Sequence, residues 1–310
     1  AYINTNQSPY GAAAFAGSGF AIDRQYLSEL LGFDRILENS LDCIGSRDYI
    51  VELDAAYAMM MLNVSRFAED LYIWATHEFG TLDFSGEIAI CSSIMPQKKN
   101  PMSLEYARGK PGHAIGILVS AMTALKGSSY TNNGDEHEAH TLYWEGLKQT
   151  MTGLEMLLQT VKYSSVRKER AYENTATNYC TVTNLADFMV KEYGISFTQA
   201  HDIVGNALAI LDENKLGIRD MDSKMIRKCC KDLLGHELEI TDEQIEGVLE
   251  PFNNIQGKIT IGGPSTASVT QMIQNLTAKV AEQKEWLQGA EDHVTKAYAK
   301  LAEEEKKIVG

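Results

Sequence analysis

Apolar residues recur at helical spacing over several long stretches of this chain. Residues 49–76 carry them from Val51 to Trp74 without an internal glycine or proline, which predicts a single long helix. Because the apolar positions cover much of its circumference, this helix is expected to lie among several others rather than on a surface.

Two further long helices are predicted downstream. The first covers about residues 101–126, with Pro101 in its first turn and a kink at Pro111. The second covers about residues 140–163, where the helical spacing of apolar positions resumes.

Shorter helices are predicted in the remainder of the chain. Ser196 with Gln199, and Thr241 with Gln244, have the capping-box spacing that starts a helix. A final helix, rich in Ala, Lys, Glu and Gln, is predicted over about residues 268–308.

These patterns predict an all-α fold, because strand-like alternation is nearly absent. Residues 1–165 are predicted to form a central long-helix bundle, and residues 166–310 a smaller C-terminal helical domain that includes the long final helix. Helices that are apolar nearly all round usually pack against other subunits, so a homo-oligomer is expected. The alternative is one large bundle with a solvated outer face.

The composition and charge of the chain argue against several classes of partner and site. The 310 residues carry a formal net charge of -14, with 42 Asp and Glu against 28 Lys and Arg, which disfavours a nucleic-acid or anionic-membrane partner. Five cysteines without C-x-x-C spacing indicate neither a disulfide framework nor a zinc site, so a reducing, cytoplasmic location is expected. No apolar run reaches the roughly 18 residues that a membrane span requires.

The start of the chain resembles the interior of a structure. It lacks methionine and leads directly into a Gly- and Ala-rich stretch over residues 11–17. We therefore expect a further N-terminal segment in the complete protein.

Residues 91–101 contain a concentration of polar side chains that could bind a ligand. The segment reads Cys-Ser-Ser-Ile-Met-Pro-Gln-Lys-Lys-Asn-Pro, and its hydroxyls, ammonium groups and amide precede a helix start, which suits a carboxylate ligand. The alternative is a polar helix-entry loop with Asn100 as N-cap and Pro101 at the first helical position.

This segment resembles the Gly-Ser-Ser-x-Met-Pro-x-Lys-x-Asn-Pro loop of the fumarase/aspartase superfamily, and its inner Gln-Lys-Lys-Asn-Pro resembles the form found in argininosuccinate lyase. Further matches follow the family's order along nearly the whole chain. They lie at residues 8–17, 22–24, 39–42, 46–48, 125–127, 197–201 and 267–269.

The resemblance implies a C–N lyase of arginine biosynthesis, or a relative acting on another N-succinyl amine, that needs no cofactor. A base would remove a proton next to a carboxylate to form an aci-carboxylate, and the adjacent C–N bond would then break to release fumarate. It also implies a homotetramer whose active sites are each built from three subunits.

Residue roles follow from the same resemblance. Ser92 would be the catalytic base, and Lys98 and Asn100 would hold the succinyl carboxylates. Ser93 and Met95 would also contact the substrate. Arg47 matches an arginine at the family's active-site cleft, although a helix-entry salt bridge with Asp48 or Glu52 is an equal alternative.

The sequence departs from the family pattern within two motifs. Cys91 replaces a glycine, which would strain the loop only if that position needs a positive φ. Tyr130 is kept in the segment that handles the amino-acid end of argininosuccinate, but Asp135 replaces a glutamine and Glu138 replaces a lysine. The reversed charge predicts an N-substituted aspartate whose other end is cationic or uncharged. In the alternative alignment, Asn132, Asn133 or His137 takes the binding role.

No metal site is predicted. His137 and His140 have i, i+3 spacing, but a solvated acidic helix N-terminus explains the surrounding cluster equally well. His113, His201 and His236 are interpreted as surface or core residues.

Two family motifs are missing, including the one that carries the histidine general acid. The chain alone is therefore expected to be inactive unless another segment or chain completes the site. A catalytically idle, crystallin-like structural paralogue is the main alternative function, and a dicarboxylate-sensing bundle is a third.

Overall fold

The computed structural model describes residues 1–88, 90–91, 94–95 and 99–309, with the backbone alone for Ile90, Cys91 and Lys99. The chain separates into two compact units. The first comprises residues 1–76, 82–165 and 282–310, and the second comprises residues 77–81 and 166–281.

The first unit consists mainly of helices. They are α1 (Tyr2–Thr5), α2 (Arg24–Leu30), α3 (Ser40–Gly45), α4 (Asp48–Trp74), α5 (Met102–Leu125), α6 (Gly134–Thr141) and α7 (Tyr143–Lys162). The strands are short: β1 (Gln7–Ser8), β2 (Arg35–Ile36), β3 (Leu82–Phe84), β4 (Ile90–Cys91), β5 (Lys99–Asn100) and β6 (Ser164–Val166). Strands β1 and β2 pair in parallel, whereas β4 and β5 pair antiparallel.

Helices α4, α5 and α7 form the bundle of this unit. Met61 and Ala68 of α4 and Leu104 of α5 have no exposed surface, and they share one core with Leu154 of α7. The predicted helix over residues 49–76 is thus confirmed as α4. Helix α5 is continuous through Pro111, while the region predicted as one helix over residues 140–163 contains two, which meet at Leu142.

The second unit holds α8 (Lys168–Ala176), α9 (Val182–Tyr193), α10 (Phe197–Glu213), α11 (Ser223–Leu234), α12 (Asp242–Leu249) and α13 (Pro251–Gln256), with 3-10 turns at Tyr179–Thr181 and Ile218–Asp220. Its core collects fully buried side chains from α9 to α12, among them Leu185, Ile203, Ile226 and Ile245. Both predicted capping boxes are present, at the starts of α10 and α12.

The last helix, α14 (Thr266–Val309), matches the predicted final helix closely. The unit division falls within it, between residues 281 and 282, whereas the sequence prediction assigned it wholly to the second domain. The all-α fold class is confirmed. Among the described residues, no helix is both long enough and apolar enough to cross a membrane.

Asp54 is an unusual residue inside the bundle. This α4 side chain is 1% exposed, and neither of its carboxyl oxygens has a hydrogen-bond partner in the described structure. The hydroxyl of Thr150 on α7 is buried in the same way. Burial raises the pKa of Asp54 to about 6, because the charged carboxylate loses its hydration.

This burial predicts a pH-dependent stability. Between about pH 4 and pH 6 the folded protein binds more protons than the unfolded chain, so the free energy of unfolding should fall as pH rises, by up to about 3 kcal/mol. We expect Asp54→Asn to remove this dependence and to raise stability at pH 7. Urea midpoints measured from pH 4.5 to 7.5 test this, and a wild-type midpoint that stays constant over that interval would contradict it.

Candidate active site

A cavity of about 660 Å³ lies within the first unit. It is bounded by the region before α2, by the segment between α2 and α3, by α3, by the start of α4 and by residues Tyr130 and His140. Its lining includes Tyr10, Phe33, Asp42, Cys43, Ser46, Arg47, Asp48, Tyr49, Tyr130 and His140. The cavity brings together two of the residues named from the sequence, Arg47 and Tyr130.

Arg47 is held by a buried acid and by the end of a helix. Its Nη2 atom lies 3.1 Å from Oε2 of Glu136, and the two side chains are 15% and 2% exposed. Its Nη1 atom donates to the carbonyls of Ile44 at 2.8 Å and Ser46 at 2.6 Å, which suits a cation at the C-terminus of α3. The ion-pair partner is therefore Glu136, not Asp48 or Glu52.

Tyr49 and His140 form a second polar connection. The Oη atom of Tyr49 lies 3.0 Å from Nε2 of His140, and Nδ1 of His140 lies 3.3 Å from the carbonyl oxygen of Glu136. Since a carbonyl only accepts, Nδ1 carries the proton and Nε2 accepts from the tyrosine. Burial lowers the pKa of His140 and raises the pKa of Tyr49, so both groups are neutral at neutral pH.

Tyr130 reaches the cavity through a close backbone contact. A Cβ atom at Gly45 would lie 3.0 Å from the nitrogen of Thr131 and 3.1 Å from the carbonyl carbon of Tyr130, so a side chain there would push this backbone away by a few tenths of an ångström. The Oη atom of Tyr130 donates to Oδ1 of Asp42 at 2.9 Å. Burial and this hydrogen bond raise the pKa of Tyr130, which keeps the phenol protonated.

The segment over residues 91–101 is described only in part. Ser92, Ser93 and Lys98 lie outside the described residues. The two ends of the segment are joined by the antiparallel pairing of Cys91 with Lys99 and of Ile90 with Asn100.

The described residues of this segment test two expectations from the sequence, which concern backbone strain at Cys91 and the N-cap of α5. Cys91 is in an extended strand, and the non-glycine residues with positive φ in the described chain are Ala13 and Lys215, so cysteine causes no backbone strain there. Asn100 belongs to β5 and Pro101 is the N-cap of α5; the helix-entry interpretation, which made Asn100 the N-cap, is wrong by one position. Met95 is 42% exposed.

The buried acid of helix α6 is not one of the two acids that were predicted from the sequence. Asp135 and Glu138 are exposed and do not line the cavity, whereas Glu136 between them is 1% exposed and faces Arg47. Glu136, Tyr49, His140 and Asp42 were not predicted as site residues from the sequence. The i, i+4 spacing of Glu136 and His140 was the available signal, because it places both on one face of a helix.

Comparison with known proteins gives consistent matches. The family described as Lyase matches residues 1–116, and the family described as Argininosuccinate lyase C-terminal matches residues 179–256. Argininosuccinate lyase 1 of Shouchella clausii is 36% identical over 306 residues, which cover 96% of this chain and 61% of that protein. Argininosuccinate lyase of Methanocaldococcus jannaschii is 38% identical over 274 residues, covering 88% and 55% respectively.

Solved structures agree with these sequence matches. An EDDS lyase variant with bound fumarate superposes with a TM-score of 0.88 at 29% identity, covering 99% of this chain and 61% of that one. This chain thus spans less than two thirds of the length of the relatives it matches. On the agreement of sequence and structural similarity along nearly its whole length, the chain belongs to the argininosuccinate lyase family.

Proposed function

We propose that this protein is a C–N lyase that eliminates fumarate from an N-substituted aspartate, either argininosuccinate or a related N-succinyl amine. The observation that carries the proposal is the similarity to an argininosuccinate lyase over 96% of this chain and to a fumarate-bound EDDS lyase variant over 99% of it. The superfamily loop over residues 91–101 supports the same chemistry, because the hydroxyl, ammonium and amide groups that the reaction needs are all present.

The proposed reaction begins with proton removal by Ser92. The base takes a proton from the carbon adjacent to a succinyl carboxylate, and the electron pair moves into that carboxylate to give an aci-carboxylate. The pair then returns to form the carbon–carbon double bond of fumarate as the C–N bond breaks, and the departing nitrogen takes a proton from a general acid. Ser92 must be deprotonated for the first step, which requires donors and positive charge around its oxygen.

Lys98 and Asn100 would stabilise the charge that develops on the substrate. The aci-carboxylate carries two negative charges, so a fixed ammonium group and an oriented amide lower the barrier most if they face its oxygens. Ser93 and Met95 would contact the same succinyl group. Arg47 contributes differently, because its charge is already paired with Glu136; we assign it to the wall of the cavity.

A homotetramer is the proposed assembly. Within the first unit, the bundle helices leave large apolar side chains exposed, including Met59 and Leu62 on α4, Val119 and Met122 on α5, and Met151 and Leu158 on α7. Apolar faces of this extent usually pack against further helices. Subunit packing would then bring residues of several chains to one active site.

Fumarate release tests the proposed function. We expect the full-length protein to raise the ultraviolet absorbance of fumarate when it is mixed with N-succinyl amines or with argininosuccinate, and to form N-substituted aspartate from fumarate and amine in reverse. Absence of turnover with every N-succinyl amine, in a protein that is folded and oligomeric, would instead support the catalytically idle structural paralogue.

A further inference from the structure

We propose that Asn133 and Gly134 form a site of spontaneous deamidation, at which the side-chain amide of Asn133 is hydrolysed to aspartate and isoaspartate. These two residues are the one Asn-Gly pair of the sequence. They lie where the segment after Tyr130 enters α6, with Asn133 as the N-cap and Gly134 as the first helical residue. The reaction needs only water, so it does not rest on the proposed function.

The backbone does not require glycine at position 134. A Cβ atom built on Gly134 would meet no described atom within 4 Å beyond its own helix and chain neighbours. Its φ also lies outside the positive range that favours glycine. The glycine provides access instead, because without a side chain at this position the carboxamide of Asn133 can approach the backbone nitrogen of Gly134.

The side chain of Asn133 is not held by the helix that it precedes. An N-cap asparagine usually accepts a hydrogen bond from the N–H of the second or third helical residue, which fixes its carboxamide. Asn133 makes no such bond in the described structure, and its Nδ2 atom donates instead to the carbonyl of Ser129. The N–H of Gly134 has no acceptor within α6, because it belongs to the first turn. The two groups that must react are therefore adjacent and not fixed by the helix.

The reaction proceeds through a cyclic imide. The backbone nitrogen of Gly134 gives up its proton and forms a bond to Cγ of Asn133. The bond from Cγ to Nδ2 then breaks, and ammonia leaves with that proton. Water next adds to one imide carbonyl and cleaves its bond to the nitrogen. Cleavage at Cγ gives aspartate, and cleavage at the main-chain carbonyl gives isoaspartate, so that one amide and one water become one carboxylate and one ammonium ion.

Isoaspartate would lengthen the main chain between two fixed points. Before the site, Tyr130 is held to α3 by its hydrogen bond to Asp42 at 2.9 Å. After the site, Glu136 of α6 is paired with Arg47 at 3.1 Å. An extra main-chain carbon at residue 133 therefore strains one of these two connections, whereas aspartate adds a charge without changing the length of the chain.

Incubation of the folded full-length protein at mildly alkaline pH, followed by peptide mapping with mass spectrometry, tests the site. We expect Asn133 to deamidate at least about tenfold faster than Asn39, which also precedes a small residue but caps α3 by accepting from two backbone N–H groups. Gly134→Ala adds one methyl group where the structure has room for it, and should slow the modification of Asn133 by about tenfold or more. Equal rates at Asn133 and Asn39, or an unchanged rate in Gly134→Ala, would overturn the proposed site.

Urea unfolding separates the effect of charge from that of chain length. Asn133→Asp supplies the carboxylate without the extra carbon, and it should be at least as stable as the unmodified protein, because a negative charge suits a helix N-terminus. Protein incubated until Asn133 has been converted should contain isoaspartate and unfold at a lower urea concentration than this variant. Converted protein that is as stable as Asn133→Asp would contradict the predicted strain.

Discussion

Replacing Ser92 with alanine is expected to lower kcat for fumarate release by about 10²- to 10⁴-fold, the range that a positioned acid–base group contributes. The proton next to the succinyl carboxylate is weakly acidic, and alanine has no oxygen to accept it. Substrate binding should persist, because the carboxylate-binding groups proposed at Lys98 and Asn100 are unchanged in this variant. Initial rates of fumarate formation over a range of substrate concentrations separate kcat from KM.

Ser93→Ala is the matched control for this variant. It removes a hydroxyl from the neighbouring position of the same loop, and if Ser93 only contacts the substrate, KM should rise more than kcat falls. Equal and modest losses of kcat in both variants would contradict the assignment of Ser92 as the base. Full activity of Ser92→Ala would remove the proposed mechanism altogether.

Glu136→Gln is expected to destabilise the protein by about 3–5 kcal/mol, the usual cost of removing one partner of a buried ion pair. The guanidinium of Arg47 would remain largely buried, with its charge matched only by backbone carbonyls. The end of α3, the start of α4 and helix α6 meet at this pair, so the cavity should lose its shape as well. Urea unfolding measures the loss of stability, and initial rates of fumarate release measure the effect on the cavity.

An exposed ion pair of the same unit provides the comparison. The Oε2 atom of Glu29 lies 3.5 Å from Nζ of Lys300, and both side chains are about half exposed. We expect Glu29→Gln to change the free energy of unfolding by less than about 1 kcal/mol, because solvent screens such pairs. The buried-pair interpretation fails if Glu136→Gln is no more destabilising than Glu29→Gln.

Secondary structure was largely predictable because its signals are local. The apolar spacing over residues 49–76 predicted α4 to within two residues at each end, and both capping boxes start helices as expected. Helical periodicity and cap hydrogen bonds involve residues that are three or four positions apart, so the sequence contains the full pattern. The break at Leu142 was missed, since the apolar spacing alone did not mark where α6 ends and α7 begins.

The candidate site was predictable only in part. The family loop and its expected roles for Ser92, Lys98 and Asn100 came from an eleven-residue motif, and those roles remain predictions. Arg47 and Tyr130 were named from the sequence, and both line the cavity. Their partners were not named, because Asp42 and Tyr130 are 88 residues apart and Tyr49 and His140 are 91 apart.

By itself the sequence determined which segments are helical, where many of them begin, and which family motif the loop carries, since each depends on neighbouring residues. The tertiary structure decided that Glu136, and not Asp135 or Glu138, faces inward, that Arg47 is neutralised, and that Asp54 is buried without a partner. These outcomes depend on which helix faces pack together and on the hydration that packing removes. The charge of the cavity therefore became apparent only when distant segments were brought into contact.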